Sequence, residues 1–230
     1  MLNSSEILTS SVVANSTMNR GRGLAGVNSY ERELRFDILK FLEERVRLRG
    51  RAVWYDACCG EGHALIAASQ SIANLPWGAN VRLVGVDLID SFSSYNSNSV
   101  KLQQGDVVTY QVDEGVDLVT CVHGLHYLGD KLGFLKNCYS MLAPSGMMLG
   151  QLDATNICIE GEAAGVWTRL MRNVRASGVS LKLERHRLAL EKSAADLDFG
   201  VAFAGATVAE QPNYTGITVI DSWYHRDISL

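Results

Sequence analysis

Five polar residues fall where buried strands should end: Asp56, Asp87, Asp106, His123 and Asp153. A carboxylate in such a place accepts hydrogen bonds from hydroxyls, amines or backbone N–H groups. An imidazole titrates near ~6.5 and can take up a proton at neutral pH, so His123, and His126 three residues later, are candidate general bases. Asp56 also opens the run Asp56-Ala57-Cys58-Cys59-Gly60-Glu61-Gly62. An apolar strand, a short glycine turn and a helix start cradle the polar end of a nucleotide-like ligand. The helix N-terminus offers free N–H groups, and glycine has no Cβ to hold the ligand off. Any one of these acids could instead be a plain cap or turn former. Their order along the chain is what points to a ligand.

The elements that must position them alternate. Val53 to Tyr55, Val81 to Val86, Val100 to Gln103, Leu118 to Val122 and Met147 to Leu152 read as strands. Ala64 to Ala73 and Asp130 to Leu142 read as helices between them, and Pro76-Trp77-Gly78 and Pro144-Ser145-Gly146 as turns. That spacing predicts βαβ units and a parallel sheet, whose ligands lie beyond the C-terminal ends of its strands. Tyr30 to Arg49 carries helical spacing through Leu34, Ile38, Phe41 and Leu42, with Glu33 on its surface and Gly50 ending it. Gly161 to Arg175 predicts a further helix. Val179 to Leu190, Ala204 to Glu210 and Thr215 to Trp223 predict extended segments and a mainly antiparallel finish to the sheet.

Composition narrows the classes. A chain of 230 residues, 47% hydrophobic and 20% charged, suits one globular domain. Residues 1–27, rich in Ser, Asn and Thr, are expected to form a mobile segment before a single domain over 28–230. With 21 basic against 25 acidic residues and a net charge of −4, nothing favours a nucleic-acid partner. Five cysteines without a CxxC pair suggest a reducing compartment. No apolar run reaches the ~18 residues of a membrane span, and the N-terminus lacks the features of a secretory signal. A cytoplasmic protein without a membrane partner is the expectation.

Over roughly residues 50 to 152 the ordered set resembles the class I S-adenosylmethionine-dependent methyltransferases. Asp56 to Gly62 is similar to the family's first motif, with Cys58 at its first glycine. Val84-Gly85-Val86-Asp87 resembles the second motif and Gln104-Gly105-Asp106-Val107 the third. Asp117-Leu118-Val119, Leu125-His126-Tyr127-Leu128 and Leu142-Ala143-Pro144-Ser145-Gly146 resemble the later elements. The resemblance implies an α/β fold with a Rossmann-like, doubly wound sheet. That sheet would be mainly parallel with an antiparallel C-terminal strand, and covered by helices on both faces. It implies S-adenosylmethionine as cofactor, leaving as S-adenosylhomocysteine. Asp56, Ala57, Cys58, Gly60 and Gly62 would hold its methionine end, Asp87 and Leu88 the ribose, and Asp106 and Val107 the adenine, with His123 close by.

The acceptor implied is a small molecule, apolar or aromatic, with Tyr30, Trp167 and Tyr214 as candidate contacts and no metal. Val122-His123-Gly124-Leu125 stands where adenine amino-methylases carry an Asn/Asp-Pro-Pro-aromatic tetrapeptide, and Asp153 alone makes no magnesium site. Asp117 is expected to orient a turn or strand start rather than do chemistry. Beside a non-enzymatic binding module, which the row of strand-end acids makes less economical, two rival readings share these residues. One is the same fold with bound cofactor catalysing a cyclisation or rearrangement. The other is a nicotinamide-dependent oxidoreductase, whose G-x-G-x-x-G the chain lacks because Cys58 and His63 occupy two of the glycine positions.

Overall fold

The computed structural model describes residues 1–2, 6, 21–162 and 165–226. Strands β1 (Ala52–Ala57), β2 (Val81–Asp87), β3 (Val100–Gln104), β4 (Val116–Cys121) and β5 (Leu142–Gln151) lie parallel in the order β3-β2-β1-β4-β5. Every residue of β1 is buried. Successive strand side chains point to opposite faces, so such a strand requires cover on both. Ala52 and Trp54 face a cluster that includes α1 (Tyr30–Leu34), α2 (Ile38–Arg49) and α3 (His63–Ile72), whereas Val53 and Tyr55 face α4 (Lys131–Met141) and α5 (Val166–Ala176). The order of strands reverses between β1 and β4, which is where doubly wound sheets open a crevice.

Three local readings are corrected. The single helix expected over 30–49 is two. Arg35 takes a left-handed φ of 52° and ends α1, and Asp37 starts α2 by accepting the Lys40 N–H at 3.0 Å. Apolar spacing runs straight through this break and hides it. The extended segment expected over 179–190 is a hairpin of β7 (Ser180–Glu184) and β8 (Arg187–Glu191). Its turn holds Arg185 and His186 at φ 48° and 65°, a left-handed pair without the glycine that would announce it. Through β8 the hairpin pairs antiparallel with β5 and completes a seven-stranded sheet.

The last strands do not extend that sheet. β6 (Ile157–Ile159), β9 (Val201–Val208) and β10 (Ile220–Arg226) form a separate sheet in the order β6-β10-β9. It is fastened to the start of α4. Lys131, fully buried, donates to Leu128 O, Ile220 O and Ser222 Oγ, and the Tyr224 hydroxyl accepts the Leu132 N–H at 2.9 Å. Of the segment expected to be mobile, residues 3–5 and 7–20 lie outside the described residues. Leu2 bridges Ala206 and Leu24 is buried.

Asp117 does orient a strand start. Wholly buried at the opening of β4, it accepts the Val53 N–H at 3.0 Å and the guanidinium groups of Arg45 and Arg49 on α2. One carboxylate thereby joins helix, β1 and β4. Asp117→Ala leaves Arg45 buried without its partner, and the expected loss is about 3–5 kcal/mol of stability in urea unfolding. A loss below ~1 kcal/mol would show that the ion pair does not hold α2 in place.

Candidate active site

The residues expected to do chemistry converge on the C-terminal edge of the parallel strands. Asp56 is completely buried. Its two oxygens accept the hydroxyls of Thr120 at 2.5 Å and Tyr30 at 2.8 Å, and Thr120 in turn accepts the Trp54 indole N–H at 2.8 Å. Burial pushes the Asp56 carboxyl up to about 7, against the pull of the two hydroxyls and with some help from the charge of Asp87. Tyr30 is 3% exposed and turned to Asp56, so it reaches the site from inside the protein.

The turn after β1 closes on β2. Asp87 accepts the Gly60 N–H at 2.9 Å and the Ile89 N–H at 3.1 Å. Gly62, at φ 79°, starts α3, and the helix has no side-chain cap. That φ is strained for any residue with a side chain, and a Cβ on Gly62 would also press on the Leu102 side chain at 2.6 Å, so the turn favours glycine there. Asp106 accepts the Val108 N–H at 3.0 Å in the turn after β3, beside the buried Val107. Leu88, half-buried, accepts the Gln104 side-chain amide through its carbonyl.

Two residues at this edge hold left-handed backbone without being glycine: Cys58 at φ 58° and His123 at φ 62°. Such positions cost of order 1–3 kcal/mol each and gather at functional sites. They are also packed together. A Cβ on Gly124 would meet the Cys58 Cβ at 2.5 Å and the sulfurs of Cys58 and Cys121 at 2.7 and 2.9 Å. The thiol contact with Cys121, then burial, raises the Cys58 pKa, which suits a space-filling side chain better than a reactive one.

Beyond Cys121 lies a group of imidazoles. His123 Nε2 is 3.4 Å from Glu33 Oε2, so α1 brings a carboxylate to the end of β4 as well as a hydroxyl to the end of β1. Burial, then the charge of Arg22, pulls the His123 pKa down, with Glu33 pulling the other way. His126 is 2% exposed, and burial lowers its pKa to about 3, which keeps it neutral. Its Nε2 is 3.4 Å from the Tyr214 hydroxyl, and the Tyr214 ring stacks on His186 at 3.7 Å. Tyr214 therefore joins the histidines, whereas Trp167 packs against the hydrophobic core. Asp153 accepts the Thr155 N–H and hydroxyl, which is a cap.

Three participants escaped the sequence: Glu33, Thr120 and Gln151. Gln151 closes β5, is 3% exposed, and accepts the His123 N–H at 3.0 Å. Its place at a strand end was the available signal. Among the described residues no group of three or more His, Cys, Asp and Glu side chains is placed to hold a metal ion. A groove of about 640 Å3 opens at the opposite edge of the sheet. Its Arg51 and Arg82 both donate to Glu114, and its Tyr95 and Ser99 both bond Ser69.

Residues 55–148 match a family described as a methyltransferase domain. The chain matches that family from β1 into β5 of its Rossmann-like sheet. It is 29% identical over 119 residues to the ubiquinone biosynthesis O-methyltransferase of Coxiella burnetii (strain RSA 493 / Nine Mile phase I), covering 48% of this chain and 47% of the relative. The chain spans about half the length of the curated relatives it matches. Among solved structures it is similar to the citrinin polyketide synthase CMeT domain (TM-score 0.45, 13% identity, 70% of this chain and 52% of the other). It is also similar to the [4+2]-cyclase SpnF (TM-score 0.40, 15% identity, 63% and 58%).

Two outcomes follow from this packing. Gly124→Ala should lower the melting temperature sharply, and combining it with Cys58→Gly should recover most of the loss, because the nearest clashing atoms are then gone. Additive losses in that double variant would refute the contact. For Asp56 the folded pKa of about 7 lies above an unfolded value near ~3.9. The folded state then holds the extra proton between those values, so this group's stability is fully present below ~4 and is lost as pH rises through about 7. Thermal melts from pH 5 to 8 should show wild type falling relative to Asp56→Asn; parallel profiles would mean that Asp56 ionises normally.

Proposed function

We propose that this protein is an S-adenosylmethionine-dependent methyltransferase acting on a small-molecule acceptor without a metal. The observation that carries the reading is the seat around Asp87. This acid ends β2, ties itself to the Gly60 N–H of the neighbouring turn, and stands beside an uncapped helix N-terminus. In this reading Asp56, Ala57, Cys58, Gly60 and Gly62 line the methionine end. Asp87 and Leu88 receive the ribose, and Asp106 and Val107 the adenine edge. The fit is supported by Gly62, whose left-handed backbone opens α3 with no side chain capping the helix N-terminus, and by the buried Asp56 carboxyl, which has no cationic partner among the described residues and which an α-ammonium would supply with one.

When bound, S-adenosylmethionine supplies a methyl group already activated by a sulfonium. The protein's work is then alignment and exclusion of water, which can lower a barrier by up to ~7–11 kcal/mol. Tyr30 and Glu33 draw α1 over the ends of β1 and β4 and close that edge to solvent. His123, neutral at pH 7 and oriented by Glu33 through Nε2, is the candidate base for an acceptor that must lose a proton. His126, pulled far below neutrality, orients Tyr214 and the acceptor. Tyr214 offers an aromatic wall for the acceptor.

Calorimetric titration tests the reading. S-adenosylmethionine and S-adenosylhomocysteine should bind and NAD should not. Asp87→Ala should weaken both by ~1.5–3 kcal/mol through loss of a charge-assisted hydrogen-bonded pair. Binding of NAD, or full affinity in Asp87→Ala, would overturn the cofactor assignment.

A further inference from the structure

The end of β5 holds an amide with half of its bonding undone. Gln151 is 3% exposed, and its Oε1 accepts the His123 N–H at 3.0 Å. A backbone N–H can only donate, so this bond fixes the orientation of the amide and leaves Nε2 on the other side. That Nε2, with two hydrogens, has no hydrogen-bond partner among the described residues. Buried donors are rarely left so, because water has been given up and nothing has replaced it. His126, 2% exposed and three residues beyond the backbone that Gln151 holds, has the same deficit at Nδ1. The rings of His123 and His126 are 5.9 Å apart, so both deficits belong to one neighbourhood, that of the candidate base.

We propose that Gln151 Nε2 is an acceptor-positioning donor that holds an oxygen atom of the methyl acceptor, which makes the acceptor an oxygen-bearing molecule, a hydroxyl or carbonyl compound, rather than an amine. This rests on reading the edge as a methyltransferase site. A hydroxyl or carbonyl oxygen has lone pairs for the Nε2 hydrogens. A neutral amine has a single lone pair, which an arylamine delocalises into its ring and which methyl transfer directs at the methyl group, so none is left for Nε2 and its own N–H groups face the donor. Sites built to hydrogen-bond one atom type reject the analogue that cannot answer it. The sequence contributes the neighbours: Tyr214, stacked on His186 and 3.4 Å from His126, gives the oxygen-bearing group an aromatic surface to lie against.

The test uses 1-naphthol and 1-naphthylamine, which differ at a single heavy atom, titrated by ligand-observed NMR with and without S-adenosylhomocysteine. Wild type should prefer the naphthol by roughly tenfold, the equivalent of one hydrogen bond. Gln151→Glu keeps an oxygen for the His123 N–H but removes the donor, so a purely structural role predicts no change, whereas the proposal predicts that the preference disappears or inverts. Should that variant fail to fold, the wild-type protein still decides. Its Gln151 side-chain amide resonances should move with naphthol and stay with naphthylamine. Equal binding of the two probes, binding of neither, or a preference that survives Gln151→Glu would overturn the oxygen assignment. Calorimetry of S-adenosylhomocysteine on the same samples separates the two readings. If it binds while the probes fail to discriminate, only the oxygen assignment falls; if it does not bind, the cofactor reading falls.

Discussion

The carboxylate of Asp56 is sealed inside the protein with two hydroxyls and, among the described residues, no cation, and the rest of the edge is arranged around it. A buried acid without a counter-charge is costly, so its neighbours are constrained. Thr120 comes from β4 and is itself held by Trp54 on β1, so the two strands flanking the crevice share one hydrogen-bonded chain. Tyr30 comes from α1, and the bond it makes brings that short helix down onto the sheet. Once α1 is seated, Glu33 one turn further along reaches His123. A single buried group thus sets the spacing between the turn after β1 and the imidazoles after β4.

Close packing does the rest. Left-handed backbone at Cys58 and at His123 re-aims the chain as it leaves β1 and β4. The two bends touch, and Gly124 is where they touch, leaving no room for a methyl group. Gln151 braces the second bend from β5 by accepting the His123 N–H. Three adjacent strands therefore each lend one residue to the same corner. Strain there is tolerable because the strands are rigid and buried on both faces.

A second constraint works at a distance. Lys131 is buried with all its bonds made to backbone and hydroxyl oxygens, and burial lowers its pKa to about 7. Those bonds tie the small sheet to the first turn of α4. The hairpin of β7 and β8 carries His186 at its turn, where it meets Tyr214 from the loop before β10. The C-terminal third thus returns to the corner that the N-terminal two-thirds define and supplies its aromatic side.

The amino-acid sequence by itself determined the parallel core and its ligand edge. Alternating apolar strands and glycine turns are local patterns, and acids at strand ends follow from them, so Asp56, Asp87, Asp106 and His123 could be placed before any coordinates. The bland reading of Asp117 was also available, because it precedes its strand. Only the tertiary structure decided the partners. Glu33 looks like a surface residue of a helix until the break at Arg35 and the Tyr30 bond turn it toward His123. Gln151 is one more polar residue at a strand end until the fixed amide shows an unused donor. The separate small sheet could not be read either, since extended segments look alike whichever sheet they join. Pairing across dozens of residues depends on burial and hydrogen-bond satisfaction in three dimensions, and neither quantity belongs to a stretch of chain taken alone.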